Sequence, residues 1–392
     1  MKQPTYNYRV LHKLFEKFFG LIAPFISIRP VSDPRVLPKR VLVIKFGGIG
    51  EAVLARSLME TLCRRNPSMS FDCLVEDRTF EAMTVGNPGK IFKYSLSTQG
   101  FGAALKTLLA IRKQKYDAVL DFEQDSMLTA AFVRATAIPV RVGFAPPSKN
   151  SRTRMFTNPV ELSESRSMWK GFIGIGRALD PSLSDDLMTV PLPYTSETDA
   201  SLSEWVRNHV GAEYRGRLVA MHIGVGPSAQ YRRWPMDRFV QLATCLSQND
   251  EPITILLTGG NGEQHLIAEF QRRFIGRSID ASSVGRLDRV AALLQRCDLL
   301  ISCDTGIMHL GAAMGTPTVG LFGPNTPTCW APVGPRATFV FQSRQRCSPC
   351  INSYLHIIPQ TCTAAVEGAC MRDIEVDDVL QAATAVIHEP WF

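Results

Sequence analysis

The chain is 392 residues long, 45% hydrophobic and 20% charged, with 43 Lys and Arg against 36 Asp and Glu for a net charge of +7. That is an ordinary globular composition, long enough for two domains with separate cores, and it excludes collagen-like, disordered and disulfide-scaffold classes. The longest mainly apolar stretch, Phe18 to Ile28, is broken by Pro24 and is far short of the roughly 20 residues a membrane-spanning helix needs.

Nearly all the positive surplus lies in residues 1–40, where Lys2, Arg9, Lys13, Lys17, Arg29, Arg35, Lys39 and Arg40 face only Glu16 and Asp33. The remainder is close to neutral, so no basic groove, and no nucleic-acid partner, is expected. Within this extension Leu11, Leu14, Phe15, Phe18, Phe19, Ile22 and Phe25 recur at helical spacing opposite Arg9, His12, Lys13, Glu16 and Lys17. The pattern predicts a basic amphipathic helix over 9–28, suited either to an anionic membrane surface or to docking on the protein's own body. No small-x-small cleavage site follows it, which argues against a signal peptide.

Beyond the extension, β-rich apolar runs alternate with helical patterns. Residues 41–46 (VLVIKF), apolar but for Lys45, predict a strand, followed by the turn Gly47-Gly48-Ile49-Gly50 and a helix ending near Asn66-Pro67. Strands follow at 71–75 and 118–122, with a helix over 103–113 between them. The segment 192–198, containing Pro193, reads as a linker, after which the pattern restarts. Strands at 218–223, 253–257, 299–303 and 318–322 alternate with helices at 236–246, 262–274, 287–295 and 307–314. This repetition predicts doubly wound parallel sheets, which take ligands at the carboxyl ends of their strands. The expected organisation is an extension (1–40), two Rossmann-like α/β domains (41–195 and 196–375) facing a central cleft, and a final helix (376–392) that can cross back to the first domain.

Ten cysteines without a signal peptide fit a reducing compartment. Cys347, Cys350, Cys362 and Cys370 are crowded as C-x2-C-x11-C-x7-C, which could close a structural zinc site or equally be a loop of reduced thiols.

Residues 302–309 (SCDTGIMH) pair a strand end with a helix start. Free backbone N–H groups there form an anion pocket, Gly306 admits a phosphate, Thr305 and His309 add donors, and Asp304 is expected to hold the turn through local backbone N–H bonds. An Asp or Thr cap beside a core histidine would read the same. Arg232 and Arg233, after the Gly224-Val225-Gly226 strand end, match a diphosphate's paired oxygens. Glu263, in TGGNGE, could accept both ribose hydroxyls. Glu51 opens the helix after Gly50, where the helix dipole favours negative charge, and suits a base that accepts a proton from a hydroxyl.

Together, VLVIKFGGIGEAVLA, RRWP, LLTGGNGE, CDTGIMHLGAAMGTPTVGLFGPNTPTCWAP and CSPC resemble glycosyltransferase family 9, the ADP-heptose:lipopolysaccharide heptosyltransferase family, over roughly residues 40 to 380. The resemblance implies a GT-B fold, inverting transfer, a nucleotide-diphosphate sugar donor held by the second domain, and a lipopolysaccharide core or related glycan acceptor. It implies donor contacts for Asp304, Thr305, Gly306, His309, Arg232 and Glu263, and the base role for Glu51. Arg232 falls where relatives usually have Lys, and Glu51 where many have Asp. The acidic run at 121–126 replaces a glutamine-glycine turn with a Lys nearby, on the acceptor side. There is no D-x-D triplet, so no metal is expected at the donor site, and the diphosphate charge falls to Arg232 and the helix start; no cofactor is expected. The implied location is cytoplasmic, peripheral on the inner face of the inner membrane. The alternatives are a non-catalytic nucleotide-sugar or glycan binder and a sugar-nucleotide epimerase or hydrolase of the same fold. A nicotinamide dehydrogenase is disfavoured, because GGIGE lacks the G-x-G-x-x-G spacing.

Overall fold

A computed structural model describes residues 38–86, 89–94, 101–145, 150–162, 167–226, 230–248, 251–260, 262–352 and 357–387. The amphipathic segment expected over 9–28 lies outside them. The chain divides between Leu187 and Met188 into two compact units.

The first unit is a six-stranded parallel sheet. Its elements are β1 (Arg40–Lys45), α1 (Ile49–Arg65), β2 (Ser70–Val75), α2 (Asp77–Thr84), β3 (Ile91–Lys93), α3 (Phe101–Arg112), β4 (Ala118–Asp121), α4 (Met127–Ala135), β5 (Val140–Ala145), α5 (Asn150–Thr153), β6 (Asn158–Glu161) and α6 (Met168–Arg177). Strand order is β3-β2-β1-β4-β5-β6. Val41 to Ile44 are wholly buried, as a central strand with both faces covered requires. α1 starts past the glycine turn, buries Ala52 to Ala55, Leu58, Met59 and Leu62, and stops at Asn66, whose successor Pro67 disfavours a further helical turn.

The second unit repeats the plan with α7 (Ser196–His209), β7 (Arg217–His222), α8 (Met236–Leu246), β8 (Ile253–Thr258), α9 (Gln264–Arg273), β9 (Ser278–Asp280), α10 (Leu287–Gln295), β10 (Leu299–Cys303), α11 (Gly306–Ala313), β11 (Thr318–Phe322), α12 (Pro327–Trp330), β12 (Ala337–Phe341), α13 (Ala369–Arg372) and α14 (Val376–Val386). Its order is β12-β11-β10-β7-β8-β9. Both sheets are therefore wound outward in two directions from their first strand, and each has a topological switch point, between β1 and β4 and between β7 and β10. In α14, Val376, Val379, Ala383 and Val386 join the second unit's core, because the helix's apolar stripe covers β11 and β12.

Among the described residues no helix is long and apolar enough to cross a membrane. Among them, too, no group of three or more His, Cys, Asp or Glu side chains is disposed to hold a metal ion, and none of the ten cysteines forms a disulfide.

Candidate active site

In the second unit the polar turn after β10 gathers most of the residues expected to meet the donor. Asp304 is buried, and its Oδ2 accepts from Asn325 Nδ2 at 2.8 Å and from Arg232 Nη1 at 3.4 Å. The carboxylate thus ties three loops together, where local backbone N–H bonds were expected. Thr305 occupies the cap position of α11 with extended backbone (φ −142°, ψ 171°) but makes no side-chain cap, its hydroxyl lying 3.1 Å from Ser302 Oγ. The start of α11 consequently offers N–H groups that no side chain caps, beside Gly306, an arrangement suited to an anion.

His309, one turn on, is 4% exposed, its ring edge-on to Trp330 at 6.0 Å. Burial, against the pull of Asp304, pushes the imidazole down to about 4, so the ring is neutral near pH 7. Its Nδ1 is buried with no hydrogen-bond partner, and so is Arg232 Nε. Two unsatisfied polar atoms beside one turn are costly unless a ligand engages them.

Glu263 sits apart from this group, after β8. Its Oε2 accepts from Gly260 N at 2.6 Å. The close approach depends on Gly224, since a Cβ there would lie 2.0 Å from Glu263 Oε1. Below it, His222 Nδ1 lies 3.1 Å from Thr258 Oγ1, with its pKa lowered by burial against the pull of Glu263. His222 and Asn325 are contributors that sequence reasoning missed. Only the chain's return through paired strand ends brings them to the site.

In the first unit Glu51 lies in the first turn of α1, at the β1–β4 switch point. Its Oε2 pairs with Lys45 Nζ, and its Oε1 accepts from Gln124 Nε2 at 3.3 Å. Lys45 is fully buried, and its ammonium also meets Glu123 Oε1 at 2.6 Å, which accepts from Phe46 N (2.9 Å) and Gly47 N (3.0 Å) as well. For Lys45, burial alone would lower the pKa, but Glu123 and Glu51 outweigh it and the net shift is upward. For Glu123, burial pulls upward, but Lys45 and the two backbone N–H groups overcome it and hold the carboxyl below its usual range. The signal for Lys45 was in the sequence, as a lysine inside an otherwise apolar strand, but nothing there named its partners. Within the acidic run at 121–126, Glu123 receives Lys45 and Asp121 forms a fully buried ion pair with Arg152 at 2.9 Å.

The sequence model of glycosyltransferase family 9 (heptosyltransferase) matches residues 105–356. Lipooligosaccharide heptosyltransferase 2 of Haemophilus ducreyi is 28% identical over 323 residues, 77% of this chain and 88% of the relative. Among solved structures, the glycosyl transferase family 9 protein of Veillonella parvula DSM 2008 superposes with a TM-score of 0.69 at 20% identity, over 90% of this chain and 98% of that one. The E. coli ADP-heptose lps heptosyltransferase II gives 0.65 at 18%, over 89% and 98%. With that family match, two doubly wound units and polar clusters at both switch points, the chain belongs to glycosyltransferase family 9 and is a glycosyltransferase of the GT-B fold.

Proposed function

We propose that the chain is an inverting transferase that moves heptose from ADP-heptose onto a lipopolysaccharide core or related surface glycan. The gathering of Asp304, Thr305, Gly306, His309 and Arg232 around an uncapped helix start carries this reading. The donor diphosphate lies on the start of α11, with Arg232 and the Thr305 hydroxyl as donors and the neutral His309 imidazole completing the contact. Glu263 takes the ribose hydroxyls. Glu51 accepts the proton of an acceptor hydroxyl while its oxygen bonds to the anomeric carbon, from the face opposite the diphosphate. The bond from that carbon to the phosphate oxygen breaks, and its electron pair leaves with the nucleoside diphosphate. Stabilising that departing charge by preoriented dipoles and cations contributes most to the rate. The heptosyltransferase relatives support the sugar and the acceptor class, and the acceptor class supports a place on the cytoplasmic face of the inner membrane.

Thermal shift against ADP-, UDP-, GDP- and dTDP-sugars tests the donor, since a bound ligand stabilises the fold in proportion to its occupancy. Preference for ADP-heptose is expected, and another nucleotide would overturn that choice. Glu51→Gln should cut turnover by about a hundredfold or more, and near-normal turnover removes Glu51 from the base role. Donor binding without transfer would favour a binding protein instead, and product formation without acceptor an epimerase or hydrolase.

A further inference from the structure

We propose that Lys45, anchored by Glu123, is a positioning residue that fixes the Glu51 carboxylate for its encounter with the acceptor hydroxyl, an inference that rests on Glu51 being the base. Two carboxylates share one ammonium, but they are not equivalent. Glu123 Oε1 is occupied by Lys45 Nζ, Phe46 N and Gly47 N at 2.6, 2.9 and 3.0 Å. Glu51 commits Oε2 to Lys45, while its Oε1 takes only the Gln124 amide at 3.3 Å among the described residues. Glu123, seated on two backbone N–H groups as well as the ammonium, is therefore the anchor, and Glu51, which among the described residues no backbone N–H holds and whose side chain is 20% exposed, is the carboxylate left for chemistry.

Lys45 itself has no route to a proton-transfer role. It is wholly buried, and its two carboxylates keep it charged throughout the neutral range. What it contributes is a fixed point at the end of a central strand, bonded to the first turn of the helix that carries Glu51. Gly47 leaves the room this requires, because a Cβ there would lie 2.6 Å from Lys45 Nζ and 2.9 Å from Glu51 Oε2. A base misplaced by about 1 Å can lose on the order of a hundredfold in rate, so such a clamp has catalytic leverage.

The test compares Lys45→Met, Lys45→Arg and Gly47→Ala in the full chain, with ADP-heptose and a deacylated lipopolysaccharide core as substrates and ADP binding measured by calorimetry. Lys45→Met and Gly47→Ala should each lower kcat by about tenfold or more while acceptor KM and ADP Kd stay within about twofold, since donor contacts belong to the second unit. Lys45→Arg should regain most of the lost kcat. Gly47→Ala keeps every charge, so it carries the test if Lys45→Met fails to fold. Wild-type kcat in either folded variant, or an ADP affinity that falls in step with kcat, overturns the proposal. If Glu51→Gln is active, the base assignment fails; if Glu51→Gln is dead but Lys45→Met and Gly47→Ala turn over normally, only the clamp fails.

Discussion

Replacing Arg152 by Met should unfold the first unit at a markedly lower temperature and disturb turnover with it. Arg152 and Asp121 are both 0% exposed and pair at 2.9 Å. The guanidinium also donates to the Phe144 carbonyl at 2.8 Å and to the carbonyls of Ser126 and Glu123, and stacks at 5.1 Å over Phe156. Methionine fills much of the volume but leaves Asp121 buried, with only Thr129 Oγ1 (3.1 Å) and Glu123 N (3.0 Å) to solvate it. Breaking such a pair from one side costs about 3–5 kcal/mol, which for a unit of this size is a fall of roughly 6–20 °C in Tm.

The loss should also depend on pH. Burial, ahead of the opposing pull of Arg152, raises the Asp121 carboxyl above its ordinary value. Only between the unfolded and the folded value does the folded chain hold a proton that the unfolded chain has released, so this group becomes more favourable to folding as pH falls through the folded value. Without Arg152 the carboxyl rises further, and the deficit of Arg152→Met should shrink between neutral pH and about pH 5. Arg152→Met/Asp121→Asn, which removes the stranded charge, should recover part of it. Melting by circular dichroism at both pH values is sufficient, and an Arg152→Met melt within about 2 °C of wild type at neutral pH would refute the reasoning.

Gly224→Ala should push the Glu263 carboxylate off its seat and weaken ADP binding by about tenfold or more, measured by calorimetry; unchanged affinity would remove Glu263 from the ribose. Asn325→Ala strips Asp304 of its 2.8 Å amide contact and should cost about 1–3 kcal/mol in urea unfolding, with a smaller ADP thermal shift. His309, lowered by burial from 6.5 to about 4, takes its proton in the unfolded chain first. Its contribution is therefore complete above about pH 6.5 and lost as pH falls toward 4, on the order of 3 kcal/mol. His309→Gln should flatten the dependence of the urea midpoint over that window, and an identical slope in both proteins would contradict it.

Local pattern was enough to read the winding plan. Strands 299–303 and 318–322 and helices 236–246 and 287–295 fall where their apolar periodicity puts them, because central strands and their covering helices must be apolar over their whole buried length. The edge strands β3, β6, β9 and β12 carried no such signal: they are short or half-exposed, and β6 even contains Pro159. Glu51, Glu263 and the turn from Asp304 to Gly306 stand out in the sequence because each follows a strand end beside a glycine. Their partners are set by the folded chain. Lys45 meets Glu123 78 positions away and Arg232 meets Asp304 72 positions away, separations that no local pattern encodes. Folding likewise settles that the final helix covers its own unit's sheet, since an apolar stripe specifies burial but not the surface that provides it.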